Sequence, residues 1–231
     1  MKYSVKLDNI YKSFNNKTIL NDISFSLPKN NNLVILGGSG SGKTILLKTI
    51  GKIINHDHGN ILYEHDNESL NIGFLFQFNA LFDSLSIRDN IGFYLDNNNI
   101  DNSDKKIDEI LQLVDLKKDI LKKYPYQLSG GMQKRVAVAR VMLMKPNLLL
   151  FDEPTSGLDP INSQNIAKLI NKVRDEYKGS SIVVTHDIDL AFHVGDFFAF
   201  IDSGKMTFWG NKKELLDSKC FERFTNYRRL V

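Results

Sequence analysis

Four short apolar runs restrict the fold of this chain more than any other feature of its sequence. They read LVILG, IGFLFQ, LLLFDE and SIVVTHD, at residues 33–37, 72–77, 148–153 and 181–187. Runs that are almost continuously aliphatic or aromatic are typical of strands buried on both faces of a parallel sheet. Each run ends in glycine or in polar residues. Because ligands of open α/β sheets bind outside the carboxyl ends of the strands, these endings are expected to meet in one crevice.

A second set of strands has a different pattern. Apolar and polar residues alternate roughly in three stretches, which lie at residues 4–14, 18–27 and 59–65. Alternation with a period of two is expected of strands that bury one face only. These stretches predict a small, mostly antiparallel layer beside the parallel sheet.

Helices are expected after the first, third and fourth apolar runs, because parallel strands need crossover connections. The clearest helix covers residues 158–178, with Asp159 as its N-cap and Pro160 at the first helical position. Between Gln77 and Pro146 the pattern is mainly helical as well. The predicted fold class is therefore α/β, with an inserted helical subdomain.

The composition excludes several classes of protein. With 231 residues, 42% of them hydrophobic, the chain is long enough for a packed core in one or two domains. Its net charge of +3 is too small to argue for nucleic acid or anionic lipid by itself. The chain has neither a coiled-coil insertion nor a tandem repeat, and no nucleic-acid partner is expected. The only cysteine, Cys220, excludes an internal disulfide. The N-terminus lacks the apolar core of a signal peptide, and no apolar run is long enough to span a membrane.

The strongest chemical signal is GGSGSGKT at residues 37–44, which matches the phosphate-binding pattern G-x-x-x-x-G-K-[ST] between a buried strand and an apolar helix. Glycines let backbone N–H groups wrap around phosphates, Lys43 reaches the β- and γ-phosphates, and Thr44 offers a hydroxyl to Mg²⁺. A flexible glycine turn with a chance lysine is the alternative interpretation. The predicted nucleotide-binding residues here are Gly37, Gly38, Ser39, Gly40, Ser41, Gly42, Lys43 and Thr44.

Polar residues at the ends of the other apolar runs extend this prediction. Asp152 can hold the metal ion, and Glu153 can polarise the water that attacks the γ-phosphorus. Gln77 and His186 follow two further buried runs, so we expect both at the same edge of the sheet. Each residue alone has an ordinary interpretation, as a turn residue, a solvated strand end or a structural histidine. Together with the phosphate loop, the functional interpretation is favoured.

Five motifs, in this order and spacing, closely resemble those of an ATP-binding cassette (ABC) subunit over essentially the whole chain. They are GGSGSGKT, the signature motif LSGGMQ at 128–133, LLLFDEP, SGLD at 156–159 and VTHD at 184–187. A phosphate loop alone would also suit a kinase or a GTPase. The combination is far more specific than any one motif.

The resemblance implies a single cassette domain over residues 1–231. Its P-loop NTPase (RecA-like) core, with the small antiparallel layer, would comprise residues 1–79 and 147–231, and its helical subdomain residues 80–146. The cofactors that it implies are ATP and Mg²⁺. The metal would be held by Thr44, Gln77 and Asp152.

The resemblance also implies a homodimer whose two copies face each other head to tail. Locally, Ser129 is an ordinary helix N-cap, and the glycines after it allow close approach to a helix N-terminus, which attracts anions. In the implied dimer, Ser129, Gly130 and Gly131 face the γ-phosphate held by the partner. Asp159 would communicate across the dimer.

Other roles are implied by position within the motifs. Phe14 matches the aromatic residue that stacks on adenine, with Tyr11 nearby. Gln77 matches the glutamine that senses Mg²⁺ and the attacking water. His186 matches the switch histidine that contacts the γ-phosphate, and Glu153 matches the catalytic base.

Residues 75–95, together with the signature helix, resemble the Mla/Mce-type phospholipid-transport ATPases. That resemblance implies a multispanning membrane permease, docked near residues 78–95, and a substrate-binding subunit with an Mce domain. It implies a location on the cytoplasmic face of a bacterial inner membrane. Two alternatives stay open: a soluble cassette ATPase of iron–sulfur cluster assembly, and a cassette ATPase of a cell-division complex that regulates cell-wall enzymes.

Overall fold

The computed structural model describes residues 2–64, 70–219 and 221–222, and its strands form a sheet of three and a sheet of six. The strands are β1 (Tyr3–Phe14), β2 (Lys17–Pro28), β3 (Asn32–Leu36), β4 (His58–Tyr63), β5 (Ile72–Leu75), β6 (Leu148–Asp152), β7 (Ser180–Val184), β8 (Phe197–Asp202) and β9 (Lys205–Asn211). The α-helices are α1 (Lys43–Ile50), α2 (Ile87–Asn97), α3 (Ser103–Leu113), α4 (Gly130–Met142), α5 (Pro160–Tyr177), α6 (Ile188–Val194) and α7 (Lys212–Leu216).

The three-stranded sheet confirms the predicted antiparallel layer. Strand β1 lies between β2 and β4 and pairs antiparallel with both. The hairpin between β1 and β2 turns at Asn15 and Asn16, whose φ angles are 47° and 62°. Asparagine suits such a turn because it tolerates the left-handed region better than most residues. The last residue of the third predicted stretch, His65, lies outside the described residues.

The six-stranded sheet contains the four apolar runs as parallel neighbours, in the order β5, β6, β7, β3, which confirms their prediction. Strands β8 and β9 extend the sheet beyond those four predicted strands. Strand β8 pairs parallel with β3, and β9 pairs antiparallel with β8. The carboxyl ends of the parallel strands therefore share one edge of the sheet.

Both faces of the large sheet are covered, which explains why its strands lack polar alternation. Leu33 and Ile35 of β3 pack with α1 and the antiparallel layer, whereas Val34 and Leu36 face a second core built with α2 to α6. The predicted crossover helices are α1, α5 and α6. Helix α5 begins immediately after Asp159, as predicted.

The chain between β5 and β6 is helical, as predicted, with α2, α3 and α4 joined by irregular segments and short 3₁₀ turns. The apolar residues that follow β5 divide between core and surface. Ile87 is fully buried, and Leu81 is partly buried against the core of the helices. Phe78 and Phe82 are exposed.

Two further sequence predictions concern features of the whole chain. Within the described ranges, no helix combines the length and the apolar character that crossing a membrane requires. The single cysteine, Cys220, lies outside the described residues.

Candidate active site

The loop between β3 and α1 has a backbone that only glycine suits at its last position. Gly42 has a φ of 105°, and a Cβ atom there would lie 2.9 Å from the carbonyl oxygen of Ile19. The ammonium group of Lys43 donates hydrogen bonds to the carbonyl oxygens of Gly37 at 3.0 Å and Gly38 at 2.8 Å. The lysine therefore folds back over the loop that precedes it.

This loop forms one wall of a cavity of about 710 Å³. The hydroxyl of Ser41 is buried in that wall and has no hydrogen-bond partner among the described residues. A buried unpaired hydroxyl in a glycine-rich loop fits a polar, anionic ligand. The cavity is lined by Phe14, Ile19, Gly37, Gly38, Ser39, Gly40, Ser41, Gly42, Lys43, Thr44, Ile45, Gln77, Glu153 and His186.

Thr44 and Asp152 meet where α1 begins and β6 ends. The Thr44 hydroxyl donates a hydrogen bond of 2.9 Å to Oδ1 of Asp152. Burial raises the pKa of Asp152, and this hydrogen bond opposes the shift. Burial also lowers the pKa of Lys43, against the charges of Glu153 and Asp152. Oxygen donors beside a desolvated ammonium fit Mg²⁺ and phosphate, since Mg²⁺ takes oxygen ligands and an anion stabilises the buried cation.

Glu153 follows directly after β6 and has a φ of 48°, an uncommon conformation for a residue with a side chain. Its carboxylate lies 3.0 Å from Nδ1 of His186 and accepts a hydrogen bond of 3.2 Å from the Thr185 hydroxyl. Such backbone conformations cluster at functional sites, where the surrounding structure maintains them. A carboxylate fixed in this way can accept a proton from a water molecule in the cavity.

Gln77 lines the same cavity from the segment after β5. Its side-chain amide donates to the Ser156 hydroxyl at 3.4 Å, and its backbone carbonyl accepts from the Lys134 ammonium at 3.4 Å. Lys134 is a buried residue of α4 that the motifs do not single out. Burial lowers the pKa of Lys134, and the charge of Glu153 opposes this shift. Gln77 is therefore joined to the helix that begins at the signature motif.

Arg140 is a second residue of α4 that the motifs do not single out. Its guanidinium donates to the carbonyl oxygens of Ala80 at 2.8 Å and Asn79 at 3.3 Å. Asn79 and Ala80 have φ angles of 56° and 49°. The sequence signal for Arg140 is a lone basic residue inside the apolar stretch of residues 136–142. It could have indicated a buried polar contact.

The structure brings Phe14, and not Tyr11, to the cavity. Phe14 is 42% exposed, at the end of β1 beside the hairpin turn. The Tyr11 ring instead makes an edge contact with His58, with ring centroids 6.4 Å apart. Ile19 of β2 also lines the cavity, although no motif indicates it.

The signature motif and the start of α5 lie outside this cavity. Ser129 caps α4 by accepting the backbone N–H of Met132 at 3.3 Å, and Asp159 caps α5 by accepting that of Asn162 at 2.9 Å. These N-termini adjoin, because a Cβ atom at Gly131 would lie 3.0 Å from the Asn162 side chain. The predicted residues that do not line the cavity are Asp152, which bonds Thr44 at its edge, and Ser129, Gly130, Gly131 and Asp159.

A phosphate loop at a helix N-terminus, with oxygen donors and a glutamate–histidine pair at the carboxyl edge of a parallel sheet, defines a P-loop nucleotide-binding protein. Comparison with known proteins gives the family. The model of the ABC transporter family matches residues 20–156, more than half of the chain.

Two curated relatives are similar to nearly the whole chain. Sulfate/thiosulfate import ATP-binding protein CysA of Mesostigma viride is 35% identical over 222 residues, which cover 93% of this chain and 64% of that protein. Phosphate import ATP-binding protein PstB of Saccharolobus solfataricus is 36% identical over 241 residues, which cover 96% of this chain and 93% of that protein.

Two solved structures share the fold. CbiO1 from Clostridium perfringens, described as part of the ABC transporter complex cbiONQ, has a TM-score of 0.85 at 29% identity, covering 99% of this chain and 96% of that one. The dimeric structure of the ABC transporter cassette MJ0796 has a TM-score of 0.79 at 27% identity, covering 90% and 98%. The same cassette is also known as a dimer bound to ADP and Pi.

This chain belongs to the family of ABC transporter ATP-binding subunits. The predicted fold class and the predicted family are confirmed. The chain spans 64% of the length of the CysA relative. The two relatives import sulfate or thiosulfate and phosphate, and they do not support the narrower resemblance to phospholipid-transport ATPases.

The backbone of Glu153 generates a prediction about stability. Replacing it by glycine or by alanine removes the carboxylate equally, but only glycine adopts a φ of 48° without strain. We expect Glu153→Gly to be more stable than Glu153→Ala by roughly 0.5 to 1 kcal/mol in urea unfolding.

Lys105, exposed in α3, is the matched control position. There the order should reverse, with glycine less stable than alanine by about 1 kcal/mol, because glycine disfavours helix. If Glu153→Gly is also less stable than Glu153→Ala, the backbone at Glu153 is not strained.

Proposed function

We propose that this protein is the ATP-binding and ATP-hydrolysing subunit of an ABC transporter. The observation that carries the proposal is one cavity that gathers the phosphate loop and the Glu153–His186 pair, with the Thr44–Asp152 pair at its edge. In this cavity Lys43 would neutralise phosphate charge, and Thr44, Asp152 and Gln77 would hold Mg²⁺, which would stabilise negative charge on the phosphates. Phe14 stacks on adenine.

In the proposed reaction Glu153 acts as the general base. It takes a proton from the water that attacks the γ-phosphorus, and His186 orients the carboxylate and contacts the γ-phosphate. Gln77, which lines the same cavity, would contact both Mg²⁺ and this water. The bonds that form and break in this reaction all belong to ATP and water. The protein therefore contributes by positioning these groups and by stabilising charge.

We propose further that two copies enclose two ATP molecules. Ser129, Gly130 and Gly131 begin a 13-residue helix whose N-terminus is suited to an anion, yet they do not line the cavity of their own chain. A head-to-tail dimer would bring them to the γ-phosphate of the partner, with Asp159 beside the shared interface. The dimeric MJ0796 structures, one of them with ADP and Pi, support the pairing of two copies.

The subunit is proposed to dock on a multispanning permease through the segment that follows Gln77. Phe78 is 86% exposed, and the Phe82 and Phe93 rings pack with centroids 4.9 Å apart at the surface. An exposed aromatic group of this kind usually marks an interface. The link to the site is direct, because α4 holds the carbonyl groups of Gln77, Asn79 and Ala80. Residues 80–146 would then move as the helical subdomain.

The site does not identify the transported molecule, because the proposed subunit binds nucleotide and permease and does not bind the cargo. Relatives of nearly equal identity import different molecules, sulfate or thiosulfate at 35% and phosphate at 36%. Import of a small oxyanion is the candidate that these relatives favour. Phospholipid transport, with an Mce-domain subunit at the bacterial inner membrane, is the candidate that residues 75–95 favour by their resemblance.

The catalytic roles predict two different defects. Lys43→Ala should lose ATP binding, because Lys43 neutralises phosphate charge in the ground state. Glu153→Gln should bind ATP and hydrolyse it at least about 100-fold more slowly, because the base acts only during reaction. Calorimetric ATP binding and phosphate release measure the two, with Glu176→Gln, an exposed glutamate of α5, as control. Normal turnover by Glu153→Gln would remove it from the catalytic role.

The shared site predicts dimerisation driven by ATP. In sedimentation experiments Glu153→Gln should be a monomer alone and a dimer with ATP, since ATP would be held and not hydrolysed. Adding Ser129→Arg should abolish the dimer, because a bulky side chain would fill the space for the γ-phosphate of the partner. Ser84→Arg, on an exposed loop residue, should leave dimerisation intact. A specific ATPase rate that is independent of protein concentration would contradict the shared site.

The docking proposal predicts a loss of membrane association without a loss of ATPase activity. Phe78→Asp and Phe82→Asp should each reduce several-fold the amount of protein that sediments with membranes of the producing cell. Leu216→Asp, on an exposed residue of α7, should not. Wild-type sedimentation of both variants would contradict the docking assignment, and wild-type protein that never associates with membranes would favour the soluble iron–sulfur alternative. Uptake of sulfate or phosphate, measured against transfer of fluorescent phospholipid, decides between the two cargo candidates.

A further inference from the structure

A lysine lies against the aromatic ring that lines the cavity. The ammonium group of Lys12 is 5.0 Å from the centroid of the Phe14 ring, within the range of a cation–π interaction. Lys12 itself does not line the cavity. Any effect of Lys12 on a bound nucleotide base would therefore act through Phe14.

Lys12 is held in this place from its other side by Asp57. The ammonium group lies 2.6 Å from Oδ1 of Asp57, and the side chain of Lys12 is only 14% exposed. Oδ2 of Asp57 accepts the backbone N–H of Ser13 at 2.6 Å, and the backbone N–H of Asp57 donates to the carbonyl oxygen of Tyr11 at 2.8 Å. These bonds tie the end of β1 to the chain that enters β4.

The charge on Asp57 is stabilised by the same contacts. The hydrogen bonds from Lys12 and from the Ser13 backbone hold the pKa of Asp57 below its ordinary value. The carboxylate of Asp57 is therefore ionised at neutral pH. We call Lys12, Asp57 and the Ser13 backbone the clasp.

The clasp restrains an exposed aromatic ring at the end of β1. Phe14 is half-exposed and is the last residue of β1, directly before the two asparagines of the hairpin turn. If an aromatic ring becomes ordered only when the ligand binds, the loss of its conformational freedom lowers the affinity. A cation fixed over one face restricts the ring beforehand, and it also makes the ring a better stacking partner for an electron-rich base.

We propose that Lys12 is a positioning residue for the nucleotide base: held by Asp57, it orients and polarises the Phe14 ring for stacking. This rests on the proposed function, since it needs a nucleotide in the cavity. In this proposal, part of the affinity for the base depends on Lys12, a residue that does not line the cavity. It also predicts that Lys12 matters for ATP and not for a ligand that has phosphates only.

The test compares Mg²⁺-ATP with Mg²⁺-tripolyphosphate, which lacks base and ribose, by calorimetry on the full chain. Lys12→Met keeps the aliphatic stem and removes the charge. We expect it to weaken ATP binding by about three- to ten-fold and to leave tripolyphosphate binding unchanged. Lys12→Arg, which can also stack over an aromatic ring, should bind ATP within about two-fold of the wild type.

A double-mutant cycle with Phe14→Leu tests whether Lys12 acts through the ring. In the Phe14→Leu background, Lys12→Met should cause no further loss of ATP affinity. An equal loss in both backgrounds would overturn the proposal, and so would an equal loss for ATP and tripolyphosphate, which would mean a general charge effect. Unchanged ATP affinity of Lys12→Met would overturn it as well.

Binding of tripolyphosphate and the Asp57→Asn variant serve as controls for folding. Binding of tripolyphosphate by Lys12→Met shows that the variant is folded; if it is not folded, Asp57→Asn replaces it, because this variant weakens the hold on Lys12 and keeps the residue. Asp57→Asn should lose ATP affinity and retain tripolyphosphate affinity, and an unchanged ATP affinity would overturn the proposal. If the wild-type protein binds neither ligand, the proposed function fails; if it binds both and Lys12→Met binds ATP normally, only this inference fails.

Discussion

The pairing of β7 with β3 on one side and with β6 on the other is the constraint on which the candidate site depends. Val184 lies opposite Ile35 in β3 and opposite Asp152 in β6. The chain therefore leaves these three parallel strands at the same level of the sheet. That register brings the phosphate loop, Glu153 and His186 to one cavity, and it lets Thr44 bond Asp152 across 108 positions of sequence.

Helix α4 connects the signature motif with the segment that follows β5. Its first residues belong to the signature motif, and its side chains farther along hold the chain after β5 through Lys134 and Arg140. Static contacts therefore join the helix that follows Ser129 to the segment that carries Phe78.

The sequence predicts the strands that bear chemistry better than those that complete the sheet. The run FFAFID, which forms β8, has the same apolar character as the four predicted strands, and Ser203 and Gly204 after it suit a hairpin. Its partner β9 is mixed in composition because it is an edge strand, with only one neighbour in the sheet. The sequence also does not separate core from surface near the docking segment. Ile87 and Phe82 are both apolar, and packing alone decides that Ile87 is buried and Phe82 is exposed.

By itself, the sequence determined which chemical groups follow each buried strand. Covalent order places Gly37, Asp152, Glu153 and His186 at the ends of apolar runs whose nearly continuous apolar character indicates burial. It also determined the N-caps at Ser129 and Asp159, which depend on local hydrogen bonds. Only the tertiary structure decided that Ile19 lines the cavity, and that Lys134 and Arg140 hold the segment after β5. Those outcomes depend on strand pairing and helix packing between residues far apart in the chain, and no local pattern of residues encodes such contacts.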